Sequence, residues 1–227
     1  MSRYFLDTGV VIGFTFLHDM WRTEAEEVFD SDNSFYVSEA VVYEYCNRTD
    51  DNYLEDTDVD WETEEGRFGE IIEVAEASKM TFDMKIDTYR DAELDVETLV
   101  DDFISVTQIN DEVDPEKIEE YIRPKIREFI IDELEGREIT TSVAREIAEV
   151  LYSTIIDGGR RIREDIRARV TQRSAPMDER EHYREKVNRF INGYIDTVIL
   201  SDAGHLQDRG VLTNLITSDK RSCEADC

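Results

Sequence analysis

A few acidic residues stand where a carboxylate needs a reason. Asp7 directly follows the apolar run Tyr4-Phe5-Leu6, and Asp219 follows Leu215-Ile216-Thr217-Ser218 in the same way. On the helix expected after Ser38, a turn of about 100° per residue puts Glu39 opposite the Val41–Tyr45 stripe and leaves Glu44 at its edge, pointing toward the sheet. In IDTVILSDAGHL the same spacing sets Asp196 among Ile199, Leu200 and Ala203, on the face expected to be buried, with Asp202 at its border. A lone buried carboxylate costs several kcal/mol unless it is paired or binds a cation. Carboxylates sharing one pocket need cations to neutralise them, and an all-oxygen set suits Mg²⁺ or Mn²⁺. Such ions lower the pKa of a bound water and stabilise a leaving oxygen, so phosphoester hydrolysis there needs no protein nucleophile. For Asp7 there is also a plainer reading. Its oxygen can cap the helix that follows, or it can hang over the carboxyl end of a strand, where open α/β sheets place their ligands.

The elements that would position these groups lie at the two ends of the chain. Residues 3–48 alternate strand and helix signals: Tyr4-Phe5-Leu6, a mostly apolar helix through Val10, Val11, Ile12, Phe14 and Leu17, and a capping box at Thr23–Glu26 before Ala25, Val28 and Phe29. Then come the strand Phe35-Tyr36-Val37 and a helix capped by Ser38. Residues 50–61 form an acidic loop, and from about Glu62 to Arg189 nearly everything reads as helix. Asp114-Pro115 starts one helix, Pro124 predicts a kink, and Thr141-Ser142 starts another bearing Val143, Ile147, Val150 and Leu151. Gly158-Gly159 and Ser174-Ala175-Pro176 are expected to break the chain. A helix from about Ile195 to Leu206 then leads to a strand over Leu212–Thr217. The expectation is an α/β fold with an open, mostly parallel sheet of about four strands flanked by helices. Residues 1–48 and 188–227 form its discontinuous core, and residues 49–187 an all-helical insertion.

Composition bounds the partners. The chain has 227 residues, 55 Asp and Glu against 26 Lys and Arg, and a formal net charge of −29. That charge ordinarily repels nucleic acid. Yet the basic residues are 20 Arg and only 6 Lys, a balance that resembles proteins of salt-accumulating halophilic archaea. At molar salt the Debye length shrinks to about 3 Å, so polyanion partners are not excluded. Cys46, Cys223 and Cys227 support neither a disulfide framework nor a zinc cluster, which fits a reducing cytoplasm. No leader or membrane span is expected, so the expected location is cytoplasmic. His18, His182 and His205 form no triad or zinc pattern and are expected to be structural or exposed.

The segments LDTGVVIG, SEAVVYEYCNR, YIDTVILSDAGHL and LITSDK resemble, in order, the four acidic motifs of the PIN-domain nucleases. That resemblance implies a PIN-like fold and a Mg²⁺- or Mn²⁺-dependent endoribonuclease, with Asp7, Glu44, Asp196 and Asp219 as catalytic and metal-binding residues and Thr8, Thr217 and Asp202 as accessory positions. Many members are VapC-type toxins of toxin–antitoxin pairs and others process RNA. RNA, an antitoxin or other protein partner, and a homodimer are therefore the associations it implies. Two departures stand out: about 150 residues separate Glu44 from Asp196 where relatives have a few tens, and the chain stops soon after Asp219. The alternatives are a non-catalytic PIN-like scaffold binding protein or RNA through its insertion, and a metal nuclease directed at DNA or flaps.

Within the middle region, GGRRIREDIRARVTQR carries six arginines and two acids, with Ile162, Ile166 and Val170 as a packing stripe. Arg160, Arg163 and Arg167 share an adjoining face. They either pair with neighbouring acidic helices or form a phosphate track leading RNA to the metal.

Overall fold

The computed structural model describes residues 2–47, 59–109, 113–189, 191, 193–212 and 214–218. In chain order these form β1 (Arg3–Leu6), α1 (Thr8–Thr15), α2 (Arg22–Phe29), β2 (Ser34–Val37) and α3 (Glu39–Val42), which continues as a π-helical turn over Tyr43–Asn47. Next are α4 (Arg67–Ile86) and α5 (Val96–Val106). The short helix Pro115–Lys117 and a π turn over Ile118–Ile122 then run into α6 (Arg123–Leu134). The remaining described elements are α7 (Thr141–Arg169), β3 (Val170–Gln172), α8 (Met177–Val187), α9 (Tyr194–Asp208) and β4 (Asn214–Ile216). Among the described residues no helix is long and apolar enough to cross a membrane.

The fold is α/β: among the described residues four strands form one sheet in the order β3-β2-β1-β4, all parallel. The central strands carry the apolar load, as a parallel sheet covered on both faces requires: Phe5, Leu6, Phe35 and Val37 are buried. Aromatic packing continues from Phe35 to Phe29, whose ring lies 4.0 Å from that of Phe14. The register pairs Leu6 with Ile216 and Phe5 with Tyr36, so the residues just beyond the strands, Asp7, Ser38 and Thr217, fall together along the carboxyl edge.

The chain divides into two compact units. One comprises residues 1–14, 23–70 and 162–227 and contains the sheet; the other comprises 15–22 and 71–161. These boundaries differ from the expected 49–187 insertion. Val170 is not part of a helical stripe but opens β3, which pairs with β2 in the sheet. A three-residue strand at the sheet edge leaves no alternation to read, so it was hidden behind the helix that delivers it. Trp61 likewise belongs with the sheet: it is buried, 6.0 Å from the Tyr45 ring, and its indole N–H donates to Gln172.

The second unit is helical in its described residues, and the rings of Phe82, Phe103 and Tyr152 meet within it at 5.8–6.4 Å. Gly158-Gly159 does not break the chain there, because α7 runs through both. A Cβ on Gly159 would stand 3.0 Å from the Phe16 ring, so this glycine serves close packing rather than a turn. Pro124 is the second residue of α6, directly after the π turn, and having no N–H it cannot donate back into that turn.

Asp202 holds several elements of the first unit together. Fully buried, it accepts from Arg180 Nε at 2.9 Å and from the Ala175 N–H at 3.0 Å, and the Ser38 hydroxyl also donates to it. Beside it, Ser174 Oγ accepts the Glu39 N–H. Burial pushes Asp202 up to about 6, against the pull of Arg180 and the other donors. Between its unfolded value near 3.8 and about 6 the folded chain therefore binds the extra proton, and ionisation of this group lowers stability as pH rises through that window. Arg180→Ala strands the carboxylate and should cost about 3–5 kcal/mol in denaturant titrations. The stability of wild type relative to Asp202→Asn should decline from pH 4 to pH 6; a rise over that range would reverse the assignment.

Candidate active site

Asp7 sits at the end of β1 and does two things at once. Its Oδ1 accepts the Val10 N–H at 2.9 Å, capping α1. Its Oδ2 accepts the Ser218 N–H at 3.1 Å, and the Thr217 hydroxyl also donates to this carboxylate. The Asp7 N–H, in turn, donates to the Ile216 carbonyl at 3.2 Å. Both readings of Asp7, cap and strand-end carboxylate, thus describe one residue, and it ties the exit of β1 to the exit of β4.

That location has meaning in the topology. From β1 the chain goes to β2 and then β3 on one side, whereas β4 lies on the other side of β1. The order reverses between β1 and β4, and a parallel sheet opens a crevice at the carboxyl ends of such a pair.

Glu44 reaches the same place from the π-helical turn that follows α3. Its side chain is 16% exposed, and Thr8, next to Asp7, donates its hydroxyl to Glu44 Oε2 at 2.6 Å. A π turn admits one extra residue, shifting the side chains after it relative to an α-helix. Burial raises the pKa of both Asp7 and Glu44, donated hydrogen bonds oppose the rise, and repulsion from Asp196 adds to it in each; Asp7 also repels Glu44. The structure therefore brings Asp7, Glu44 and Asp196 within electrostatic reach, with Thr8 and Thr217 as their hydroxyl donors.

Asp196 corrects an expectation. It is exposed, while the buried positions of α9 include Ile195, Val198, Ile199, Asp202 and Leu206. The helix starts at Tyr194, so Asp196 lies in its first turn, with the carboxylate turned back over Gly193 at the N-cap. A negative charge is favoured there by the helix dipole. Asp202 is instead the buried acid of the helix, bound to Arg180. Asp219 lies outside the described residues.

The arginines of α7 are engaged with carboxylates. Arg167 reaches Glu62 at 3.2 Å and Arg160 reaches Glu76 at 3.4 Å. Arg163 is 7% exposed, lies 4.5 Å over the Phe68 ring and pairs with Glu64 at 3.4 Å. The pairing alternative describes this geometry. None of the histidines joins Asp7 and Glu44 in the contacts described. His18 packs against Phe16 and Phe103, and its burial pushes it down to about 4; His205 lies 3.1 Å from Glu179, and His182 is exposed. The Cys46 thiol is buried and pushed up to about 12.

Sequence reading missed one residue here. Arg67 Nε lies 3.8 Å from Glu44 Oε1, and its attraction lowers the Glu44 pKa against the effect of burial. It is placed by Gly66, where a Cβ would fall 2.6 Å from the Glu44 carbonyl oxygen and 2.7 Å from that of Tyr45, so only a glycine permits the approach. The available signal was slight: an arginine as first residue of a helix, where the dipole disfavours a cation.

Among the described residues no group of three or more carboxylate, imidazole or thiol side chains is close enough to cage a metal ion. The donor chemistry nevertheless fits one class of ion. Mg²⁺ keeps several waters and is held by one or two carboxylates together with substrate phosphates, and Asp7 and Glu44 provide such a pair. Comparisons with known protein families, characterised proteins and solved structures give no match to this chain.

Carboxylates held together by burial against their own repulsion cost stability. Glu44→Gln keeps an acceptor for Thr8 and removes a charge whose only described salt bridge, to Arg67, is loose and exposed. Without divalent cations this variant should match or exceed wild-type stability by up to about 1 kcal/mol. A clear loss in thermal melts would show that Glu44 serves the fold rather than a site.

Proposed function

We propose that this chain is a divalent-metal-dependent endoribonuclease with a PIN-like core, hydrolysing RNA phosphodiester bonds at the crevice between β1 and β4. The observation that carries the reading is the position of Asp7: a strand-end carboxylate at the point where strand order reverses, held in the company of Glu44 and Asp196 despite mutual repulsion. The ordered acidic motifs support it, and Asp219 completes the set in that resemblance.

In this reading Asp7 and Glu44 would hold the ion, with Asp196 adding negative charge at the rim. A bound Mg²⁺ or Mn²⁺ supplies Lewis acidity toward a phosphate oxygen and makes water a better nucleophile near neutral pH. The chain's own part is positioning. The Val10 and Ser218 N–H groups fix both oxygens of Asp7, and Thr8 fixes one oxygen of Glu44, so neither carboxylate must be reoriented when substrate arrives. Water is the attacking group; it adds its oxygen to phosphorus, the ribose oxygen leaves, and one proton is carried to that oxygen.

The test uses purified protein in molar KCl with end-labelled single-stranded RNA. Cutting is expected with Mn²⁺ or Mg²⁺, loss of cutting with EDTA, and a drop of at least about 100-fold for Asp7→Asn and Glu44→Gln while both variants remain folded. Mn²⁺ should also raise the melting temperature of wild type and not of Glu44→Gln. Equal cutting by wild type, variants and the EDTA control would overturn the reading. Cutting confined to duplex or flap DNA would reassign the substrate, and Mn²⁺ binding without cutting would return the protein to a scaffold role.

A further inference from the structure

The Arg67 guanidinium differs from most other arginines paired in this structure. Arg123, Arg127, Arg137, Arg145, Arg167 and Arg180 each make at least one contact to a carboxylate at hydrogen-bonding distance. Arg67 Nε stops 3.8 Å short of Glu44 Oε1, beyond hydrogen-bonding distance, and the side chain is 56% exposed. Its planar fork of donors is thus not committed to Glu44. Placing it there also works against local physics, because a cation in the first turn of α4 opposes the helix dipole. Gly66 enforces the placement through backbone contacts with Glu44 and Tyr45 that no side chain would allow. A chain with a net charge of −29 and three mutually repelling carboxylates at this edge repels a phosphodiester, and a guanidinium beside Glu44 offsets part of that repulsion.

Resting on the reading of the site as a ribonuclease centre, we propose that Arg67 is its substrate-positioning residue, donating to the non-bridging oxygens of an RNA phosphate next to the carboxylates. The fork geometry of arginine matches two phosphate oxygens at once, a fit that lysine lacks. Arg67 also moderates the repulsion around Glu44 when no divalent ion is bound. The two roles predict opposite responses: loss of the guanidinium weakens RNA binding but leaves the ion with one competing cation fewer.

The experiment compares wild type, Arg67→Gln and Arg67→Lys in three measurements. They are binding of a fluorescent single-stranded RNA in EDTA across a KCl titration, binding of Mn²⁺ alone by calorimetry, and thermal melting. Arg67→Gln should bind RNA about 10-fold more weakly, with the log–log salt slope reduced by about 0.7. It should bind Mn²⁺ at least as tightly as wild type and melt within about 2–4 °C of it, since a loose, exposed pair contributes little. Arg67→Lys should recover the salt slope but only part of the affinity. Unchanged RNA binding in Arg67→Gln, or joint loss of RNA binding, Mn²⁺ binding and melting temperature, overturns the proposal and leaves Arg67 a structural partner of Glu44. Failure of wild type itself to bind Mn²⁺ or RNA overturns the ribonuclease reading and this inference with it.

Discussion

The first unit turns on a single carboxylate. Asp7 takes an N–H from the first turn of α1 with one oxygen and an N–H from the segment leaving β4 with the other. The two strands are neighbours in the sheet but far apart in sequence, so this bridge closes a loop of about 200 residues. It does so with a charged acceptor, which makes stronger hydrogen bonds than a neutral one. It also anchors an otherwise weak strand: β4 is three residues long at the sheet edge, with Asn214 exposed. Because that anchor is a half-buried acid, everything brought near it must either donate to it or repel it. Thr217 and Ser218 donate, whereas Glu44 and Asp196 repel.

Two kinds of buried acid emerge. Asp202 is matched by Arg180, the Ala175 N–H and the Ser38 hydroxyl, and it links α8 and α9 to the cap of α3. Asp7 and Glu44 are matched by hydroxyl and N–H donors, with Arg67 loosely at one side, and they sit beside each other's charge. The first arrangement is what a fold does with a carboxylate it needs for cohesion. The second leaves repulsion uncancelled at the end of a parallel sheet, where a bound cation would relieve it. The acidic surface elsewhere is of a third kind: Arg123, Arg127 and Arg145 sit in exposed pairs with acids, each worth little alone.

Much of the site was legible because its acids follow elements with strong local signals. Asp7 comes after a continuous apolar strand, and Glu44 six residues after a serine cap that the structure keeps at Ser38. Asp196 was found for an incomplete reason. Spacing put it on a buried face, but α9 is buried around most of its circumference once past its first turn, so periodicity could not set the phase. Arg67 was invisible because its role depends on Gly66 meeting the backbone of Glu44 and Tyr45, a contact across 22 residues that no local pattern encodes.

By itself, the sequence determined the α/β class, the strands β1 and β2 with the helices after them, the acids that follow those strands and the strongly anionic character of the chain. These depend on local patterning and composition, which a linear text carries in full. Tertiary structure alone decided that residues 170–172 complete the sheet and that α7 passes straight through Gly158-Gly159. It also decided that Arg163 is buried under Phe68 instead of facing solvent, and that Asp202 rather than Asp196 is the buried acid of α9. Each of these depends on which surfaces meet: a three-residue strand is defined by its neighbour, a glycine pair by the ring packed on it, and a charge by the donors around it.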